Sequence, residues 1–331
     1  ARPKIDRAFV TRTVAGLRPF RPAGFRVELE YIRDRAIVHN YGHGGSGLTL
    51  APGTAAFAAD LARTTGHRQA AVIGAGAVGL MTARAMQQLG ISVTVYGAAV
   101  SPATTSNVAG ALWGAFSLVD PAWETPETGA RIAEVTRLSH QVLSALPAGR
   151  YGIRRMPLYL VGESPGLPWE MTLTPELFQA QLLGPGEHPF TTRGALRTSS
   201  LMIDPDRFLA AVHDDIVAGG GEVLTRRMLS LDDVLSLRAP LIVNCAGLGA
   251  RDLFGDASLE PIKGELALLE DQPAMDYAVV SLDEDTYVLP RERAIVVGGS
   301  RIRGDWSLHV RETEIDEILD RAQRLWRRDR D

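Results

Sequence analysis

One group of residues in this sequence has types and spacing that suit a particular chemistry, the glycine motif Gly74-Ala-Gly76-Ala-Val-Gly79. In such a motif the first glycine allows a tight turn, the second lets the backbone approach a pyrophosphate, and the third lets a helix pack closely on a strand. The phosphates then lie at the positive end of that helix. The motif predicts a bound dinucleotide, and a structural turn without a ligand is the alternative.

The elements around the motif are those that a dinucleotide site requires. Residues 70–73 are typical of a short buried strand, a helix is expected to about Leu89, and residues 91–96 (ISVTVY) indicate a second strand. Strand, glycine turn, helix and strand within about 30 residues make a βαβ unit. The remaining elements are expected as strands at 24–38, 241–244, 264–270, 277–281, 286–290 and 294–299 and as helices at 54–65, 126–146, 205–218 and 312–331.

The second strand lacks the residue that usually identifies the nucleotide. In a nicotinamide site this strand ends in Asp or Glu, which hydrogen-bonds the adenosine ribose. Here Tyr96 is followed by Gly97, Ala98 and Ala99, and no arginine replaces the acid. This counts against NAD and NADP and favours FAD, whose binding is spread over a longer molecule.

Composition excludes several classes of protein. The 331 residues include 35 basic and 39 acidic ones, so nucleic acid, which needs a clustered positive surface, is not an expected partner. Lys4 and Lys263 are the only lysines and Cys245 the only cysteine, which leaves little room for lysine chemistry and none for an intrachain disulfide or a cysteine metal cluster. No secretory signal or run of ~18–20 apolar residues is visible. We therefore expect a soluble, cytoplasmic protein of about two domains that does not bind a membrane.

Other possible sites do not suit their chemistry. His39 and His43 are four residues apart, but the glycines around them make a helical zinc face implausible, and no metal is expected. Ser46 lies in a Gly-Gly-Ser-Gly stretch that lacks the spacing of a hydrolase nucleophile. Cys245 is expected to be an inert, buried thiol.

Several blocks resemble a known family. Residues 70–113 resemble the N-terminal part of the D-amino acid oxidases, FAD-dependent flavoproteins of the glutathione-reductase-like type, and the run Thr104-Thr105-Ser106 followed by VAGALW is more specific than the glycines. Residues 241–256 (LIVNCAGLGARDLFGD) resemble the family's middle flavin-domain strand. Residues 286–300 (TYVLPRERAIVVGGS) resemble its strand pair with a substrate-binding tyrosine.

The remaining blocks occur in a rotated order. Residues 16–22 (GLRPFRP) and 39–49 (HNYGHGGSGLT) resemble the blocks that close the family's chain, yet here they precede the glycine motif. The chain thus resembles a circular permutant with an unchanged α/β fold. A Rossmann-like FAD-binding domain, residues 24–115 and 198–249, is expected to be interleaved with a substrate domain on a mixed or antiparallel sheet, residues 1–23, 116–197 and 250–331.

The resemblance implies an FAD-dependent oxidase of D-amino acids or similar amines. Hydride would pass from the α carbon to flavin N5, the imine would hydrolyse to a 2-oxo acid and ammonia, and oxygen would reoxidise the flavin to give hydrogen peroxide. Arg18 is assigned to the substrate carboxylate, a role that suits a planar guanidinium. Tyr287 is assigned a second bond to the same carboxylate, and the backbone carbonyl of Gly45 receives a proton of the amine. Arg21 is expected to be structural.

The resemblance also implies a set of flavin contacts. Family members are often dimers, so a homodimer is one expected form. The residues expected to contact the flavin are Gly44, Gly47, Leu48, Thr49, Gly74, Gly76, Val78, Gly79, Thr104, Thr105, Ser106, Gly110, Leu112, Met228 and Gly247.

Some positions depart from the family pattern. Ala98 and Ala99 replace the ribose-contacting acid and its neighbour, which predicts weaker retention of FAD. Gly114 and Phe116 replace a glutamine and a tyrosine, which predicts a less polar and roomier substrate wall.

Two further departures concern acidic residues. Asp283 replaces the first tyrosine of the family's active-site lid, within the acidic run 283–285, and Glu265 replaces a glutamine. An acidic lid predicts that neutral or basic side chains are favoured over acidic ones. The alternatives are a glycine/sarcosine-type or pathway-specific amine oxidase, a non-catalytic flavin-binding protein and, more remotely, an NAD-dependent dehydrogenase.

Overall fold

A computed structural model describes residues 1–326 of the chain. Its strands, in chain order, are β1 (Val10–Phe20), β2 (Arg26–Ile32), β3 (Arg35–Tyr41), β4 (Gln69–Ile73), β5 (Ser92–Gly97), β6 (Ile153–Gly162), β7 (Gln181–Leu183), β8 (Gly194–Ile203), β9 (Glu222–Thr225), β10 (Leu241–Asn244), β11 (Glu260–Leu269), β12 (Ala278–Ser281), β13 (Thr286–Pro290), β14 (Ile295–Gly298) and β15 (Ile302–Arg303). Its helices are α1 (Gly47–Thr64), α2 (Ala77–Gln88), α3 (Thr105–Val108), α4 (Pro126–Ala145), α5 (Ala148–Tyr151), α6 (Trp169–Thr172), α7 (Pro205–Ala218), α8 (Leu231–Leu235), α9 (Ala250–Phe254) and α10 (Glu312–Arg324).

A six-stranded sheet contains the glycine motif. Its strand order is β2-β3-β10-β4-β5-β9. All neighbours run parallel except β2 and β3, which form an antiparallel hairpin. The central strands are mainly apolar because both faces of the sheet are covered, by helices such as α1, α2 and α7 on one face and by a second apolar cluster on the other.

A nine-stranded sheet forms the second layer. Its order is β1-β11-β14-β13-β12-β6-β8-β7, with β15 added to β11. Its pairs are antiparallel except for β12 with β6. The sheet is therefore mixed, as expected. Helix α10 packs on one of its faces through Ile315, Ile318, Leu319 and Ala322.

The first 66 residues contribute to both sheets. Strand β1 pairs with β11 over most of its length, whereas β2 and β3 extend the six-stranded sheet beside β10. The domain boundary predicted at 197/198 is wrong in one respect, because β8 runs across it as one continuous strand of the nine-stranded sheet. By sheet membership that boundary follows Ile203.

The bounds of two helices differ from the sequence prediction. Helix α1 begins at Gly47 instead of residue 54 and includes Pro52, because Leu48 through Ala55 are buried and tertiary packing outweighs the local signal. Helix α10 ends at Arg324, and the predicted continuation beyond residue 326 lies outside the described residues. Helix α7 has the predicted bounds, with the side chain of Asp204 accepting a hydrogen bond from the Arg207 N–H at the N-cap.

Candidate functional site

The glycine turn between β4 and α2 can be formed only by glycine. Gly74 has a φ of +116°, and a Cβ there would lie 2.2 Å from the carbonyl oxygen of Cys245. A Cβ at Gly79 would lie 1.8 Å from the carbonyl oxygen of Gly74. Positions 74 and 79 are therefore closed to side chains, as the close packing of the strand, the turn and the helix at a dinucleotide site requires.

The turn lies where the chain changes direction across the six-stranded sheet. Strand β4 has β5 on one side and β10 on the other, so the carboxyl ends of three parallel strands surround the N-terminus of α2. Such a switch point is where α/β sheets bind ligands, and the free N–H groups of the helix favour an anion. The first turn of α2 contains no acidic residue that would oppose one.

The threonine-serine run is brought to this turn. The Oγ of Ser106 accepts a hydrogen bond of 3.0 Å from the Ala77 N–H, and a Cβ at Gly76 would lie 3.1 Å from the same Oγ. Helix α3 is held by a capping box between Thr104 and Asn107. The two blocks that suggested a phosphate site are therefore in contact, and a bound FAD fits this edge of the sheet.

The second glycine-rich loop closes on residues 114–117. A Cβ at Gly44 would lie 2.3 Å from the carbonyl oxygen of Ser117. The Phe116 N–H donates to Ser46 Oγ at 2.7 Å, and that hydroxyl donates to the Phe116 carbonyl at 2.9 Å. Gly45 is exposed on this loop. The loop is thus fixed in place rather than free, which suits a surface that contacts a ligand through its backbone.

The start of α1 adjoins the start of α2. A Cβ at Gly47 would lie 4.0 Å from the Val78 side chain, and Leu48 is buried behind it. Thr49 Oγ1 donates to the Gly114 carbonyl at 2.8 Å. The half-buried Gly47 and Val78 therefore form one surface at the starts of the two helices.

Three of the predicted flavin residues lie at the edges of this surface. Gly247 has a φ of +58° in the turn after β10. Leu112 forms an isolated bridge with Met202 at the contact between the two sheets. The Met228 side chain is buried in the apolar cluster on the far face of the six-stranded sheet, so only its backbone remains available to a ligand.

Arg18 has an incomplete set of partners. It lies in β1, half-buried, and its Nη1 donates to the carbonyl oxygen of Ser300 at 3.1 Å. Its guanidinium lies against the backbone of Gly264, where a Cβ would be 2.4 Å from Nη2. No carboxylate within residues 1–326 pairs with it. Its remaining N–H groups can therefore receive an external carboxylate in a bidentate arrangement.

Tyr287, in β13, lies close to the segment that holds Arg18. A Cβ at Gly299 would lie 3.0 Å from the Tyr287 hydroxyl, and one at Gly110 would lie 3.4 Å from it. Ser300, which follows Gly299, holds Arg18. The Arg18 Cδ in turn lies 3.7 Å from where a Cβ would stand on Gly45. The structure thus brings together Arg18, Tyr287, Gly45 and Gly110, although they are far apart in the sequence.

The acidic run does not form a lid. It occupies the four-residue turn between β12 and β13, where Asp283 accepts a hydrogen bond of 2.7 Å from the Glu163 N–H. Glu284 pairs with Arg324 at 2.9 Å. The prediction of an acidic lid over the site is therefore wrong, because hairpin pairing shortens the connection to a turn and its carboxylates have local partners.

The other titratable residues have structural environments. Arg21 pairs with Asp256 at 3.1 Å, as a structural role predicts. Burial raises the pKa of the Cys245 thiol to about 12, which makes it inert. Burial lowers the pKa of His43 to about 3, and its Nε2 lies 2.9 Å from Thr54 Oγ1. Within residues 1–326, no three His, Cys, Asp or Glu residues are grouped so as to hold a metal ion, and no helix is long and apolar enough to cross a membrane.

Sequence reasoning missed the residues that position Arg18. The Ser300 carbonyl carries no side-chain signal, and its role depends on the pairing of β1 with β11. Ser300 Oγ also accepts from the Glu265 N–H at 2.9 Å. Glu265 is fully buried and pairs with the buried Lys263 at 3.0 Å on the opposite side of β11 from Arg18. Lys263 and Glu265, two charged residues in the middle of a mainly apolar strand, were the only available signal.

Comparison with known proteins identifies the family of this chain. Residues 69–331 match the family described as DAO, FAD dependent oxidoreductase. The D-amino-acid oxidase of Streptomyces coelicolor is 31% identical over 244 residues, which cover 71% of each chain. Human D-aspartate oxidase is 27% identical over 262 residues, covering 76% of this chain and 74% of the relative.

Solved structures share the fold. The glycine oxidase of Bacillus cereus superposes with a TM-score of 0.58 at 14% identity, over 78% of each chain. The FAD-bound L-alpha-glycerophosphate oxidase of Mycoplasma pneumoniae superposes with a TM-score of 0.56 at 13% identity, also over 78% of each chain. The glycine turn, the serine beside it and the family match agree on one cofactor, so this chain is an FAD-dependent oxidoreductase that belongs to the DAO family.

Proposed function

We propose that this protein is an FAD-dependent oxidase of D-amino acids. The observation that carries the proposal is Arg18, a half-buried arginine without an acidic partner within residues 1–326, held by Ser300, whose neighbour Gly299 lies against the Tyr287 hydroxyl. Such an arginine is suited to an external carboxylate. The D-amino-acid oxidase of Streptomyces coelicolor, at 31% identity, supports the choice of substrate.

The residues of this chain orient the substrate. Arg18 holds the carboxylate through two parallel N–H bonds, and the Tyr287 hydroxyl donates a further one to it. The backbone carbonyl of Gly45 accepts a hydrogen bond from the amine N–H, which directs the nitrogen lone pair towards the α carbon. FAD, when bound, supplies the acceptor for the hydride from that carbon. Orientation and electrostatics then account for catalysis without a side-chain base.

The products follow from this two-electron oxidation. The substrate loses the α hydrogen as hydride and an amine proton, which leaves an imine. Water converts the imine to a 2-oxo acid and ammonia. Molecular oxygen accepts the two electrons and two protons, and hydrogen peroxide is released.

Neutral or basic side chains are favoured over acidic ones. Leu289 lies 3.2 Å from where a Cβ would stand on Gly110, beside Tyr287, and the half-buried Phe116 adjoins Gly45, so apolar residues flank this part of the site. Arg301, which follows the Arg18-binding Ser300, has its Nη1 3.7 Å from Asp285, and this contact offsets its charge. The site then supplies a strong anchor for the α carboxylate but a weaker one for a second carboxylate.

The experiment is anaerobic reduction of the purified holoenzyme by paired D and L amino acids. We expect the visible flavin band to bleach with D-alanine and D-arginine, weakly with D-aspartate, and not with the L isomers. A band that stays oxidised with every D isomer would contradict the proposal. A kcat/KM for D-aspartate above that for D-alanine would contradict the side-chain preference alone.

The flavin contacts expected from the sequence are also part of the proposal. They divide into three groups: the turn Gly74, Gly76, Val78 and Gly79 with Thr104, Thr105 and Ser106; the loop Gly44, Gly47, Leu48 and Thr49; and the edge residues Gly110, Leu112, Met228 and Gly247. Their placement around the N-termini of α1 and α2 supports this assignment.

A glycine/sarcosine-type amine oxidase is a second candidate. The four-residue turn after β12 and the Gly114-Phe116 wall leave the site open enough for a substituted amine. Sarcosine oxidised faster than D-alanine would favour this candidate.

The proposal also includes the interleaved domains and the circular permutation of the chain. The family match begins at residue 69, at the start of β4, while the preceding residues form β1 to β3 and α1 within the same two sheets. Helix α1 ends at Thr64, four residues before β4. Ala1 and Trp326 both hydrogen-bond the Tyr277 hydroxyl, each at 3.1 Å, so these two parts of the chain are adjacent.

A rearranged chain tests the permutation. Residues 67–331 are followed by a short glycine-serine linker and residues 1–66. We expect this chain to fold, to hold FAD and to keep the KM of the original. A rearranged chain that is insoluble with linkers of several lengths, while the original folds, would contradict the permutation.

A further inference from the structure

The end of β5 lies against the glycine turn. The Gly74 N–H donates to the Tyr96 carbonyl at 2.7 Å. A Cβ at Gly97 would lie 2.6 Å from the Ala75 Cβ, inside that turn. Whatever follows Gly97 is therefore next to the pyrophosphate end of the cofactor site, where the adenosine ribose is bound in this type of fold.

Residue 98 cannot bind that ribose through its side chain. Ala98 is exposed and lacks a hydrogen-bonding group, whereas a carboxylate at this point would accept hydrogen bonds from the ribose hydroxyls. The sequence also has no arginine close to Ala98 in the chain, so the sequence alone identifies no residue that would bind the ribose.

The neighbouring strand supplies an arginine instead. Strand β9 pairs in parallel with β5, and the N–H of Arg226, the residue after it, donates to the Gly97 carbonyl at 2.8 Å. The Arg226 guanidinium lies over the Tyr96 ring, 5.9 Å from its centroid, within the range of a cation–π contact. Because Tyr96 is paired with Leu224 and Gly97 with Thr225, Arg226 follows β9 at the same level at which Ala98 follows β5.

This arginine is free to bind a ligand. Arg226 is exposed, and no carboxylate within the described residues pairs with it or with its neighbour Arg227. Stacking on Tyr96 restricts the guanidinium while its N–H groups stay accessible. A guanidinium only donates hydrogen bonds and binds phosphate oxygens in a bidentate manner.

We infer that Arg226 binds the adenosine portion of FAD in place of the missing carboxylate, and that this subsite prefers an anionic ribose. The N–H groups donate to the ribose oxygens of FAD. A phosphate on the ribose 2′ position would accept hydrogen bonds from the same N–H groups and would bind more strongly than the hydroxyl. The carboxylate that is usual at this position would repel that phosphate. The charge of the adenosine subsite is thus reversed relative to a site with a ribose-binding acid.

Binding to the flavin-free apoprotein tests this inference without any turnover. AMP and adenosine 2′,5′-bisphosphate differ only by the 2′ phosphate, and calorimetry gives the ratio of their Kd values. We expect the bisphosphate to bind about tenfold tighter, because its 2′ phosphate adds one charge-assisted contact at an exposed site. We also expect Arg226→Ala to bring this ratio close to one and to weaken FAD binding by about fivefold or more.

Arg227→Ala is the matched control, because it removes the same charge from the adjacent exposed position. We expect it to leave both the ratio and the FAD Kd within about twofold of the original. A ratio near one in the unaltered protein would overturn the inference, as would equal effects of the two substitutions. Thermal unfolding of both variant apoproteins tests for a folding defect. None is expected, since each arginine side chain is exposed and no carboxylate of the described residues pairs with either.

Discussion

Replacement of Arg18 separates substrate binding from folding. The guanidinium makes one described hydrogen bond, to the Ser300 carbonyl, and rests on the backbone of Gly264. Arg18→Lys keeps the positive charge but loses the planar pair of donors, so one of two charge-assisted bonds to the carboxylate is lost. Such a bond contributes about 1.5–3 kcal/mol. We therefore expect kcat/KM for D-alanine to fall about 10- to 150-fold.

Arg18→Met removes both bonds and extends the series. The expected loss is about 3–6 kcal/mol, or roughly a hundredfold to ten-thousandfold in kcat/KM. The assay is stopped-flow reduction of the flavin without oxygen, which gives the reduction rate and the substrate Kd separately. D-alanine amide, which lacks the carboxylate, is the comparison substrate, and its reduction should change little in either variant.

Arg21→Lys is the control for a structural arginine. Arg21 pairs with Asp256 at 3.1 Å, so its replacement should lower the melting temperature and leave the Kd for D-alanine unchanged. Arg18 has no ionic partner within residues 1–326, so its variants should unfold close to the original temperature. An Arg18→Met enzyme with full flavin content and a D-alanine Kd within twofold of the original would refute the assignment.

Four further outcomes follow from the structure. Gly79→Ala places a Cβ 1.8 Å from a carbonyl oxygen, so the variant should lose FAD and stability, as absorbance and thermal unfolding will show. Burial lowers the pKa of His43 from 6.5 to about 3. Between pH 6.5 and about pH 3 the imidazole is therefore protonated in the unfolded chain but not in the folded protein. The free energy of unfolding should fall in this pH range by up to ~1.4 kcal/mol for each unit by which the pH is lowered. Lys263→Met leaves the buried Glu265 without its 3.0 Å partner and should cost about 3–5 kcal/mol in urea unfolding, while Lys263→Met with Glu265→Leu should recover most of it. Cys245, with its pKa raised to about 12, should resist iodoacetamide at mildly alkaline pH until the chain unfolds.

Each of these expectations can fail in a distinct way. Normal FAD binding in Gly79→Ala would mean that the turn adjusts to a side chain. An unchanged pH slope in a folded His43→Gln variant would show that His43 does not set it. A double variant no more stable than Lys263→Met would show that the strand needs the ion pair itself. Labelling of Cys245 in the native protein would indicate local opening at the end of β10.

The cofactor and the glycine turn could be predicted from the sequence. The glycine turn, the strand before it and the helix after it are consecutive in the chain, and the steric demands on Gly74 and Gly79 are met within a few residues and one neighbouring strand. Local geometry of this kind can be recognised from the order and spacing of residues in the sequence. The same holds for α7, whose N-cap at Asp204 is a local hydrogen bond.

The substrate half depended on tertiary structure. Arg18 and Tyr287 come close because β1 pairs with β11, β11 with β14 and β14 with β13, and the first of these pairings joins residues more than 200 positions apart in the chain. Their roles could be expected from a resemblance, but these pairings and the Ser300 carbonyl that holds Arg18 leave no trace in spacing.

Tertiary contacts also decided what local patterns misjudged. The acidic run at Asp283 suggested a lid, yet hairpin pairing confines it to a turn in which its carboxylates are satisfied. Helix α1 begins before Pro52 because burial of its first turns outweighs the proline. The end of β5 suggested a vacant ribose site at Ala98, yet strand pairing brings Arg226 to it. The sequence alone determined the cofactor, because the glycine turn that indicates it is made of contiguous residues. Strand pairing in the two sheets decided which charged side chains lie near the ligands, because electrostatic interactions depend on distance in space and not on separation along the chain.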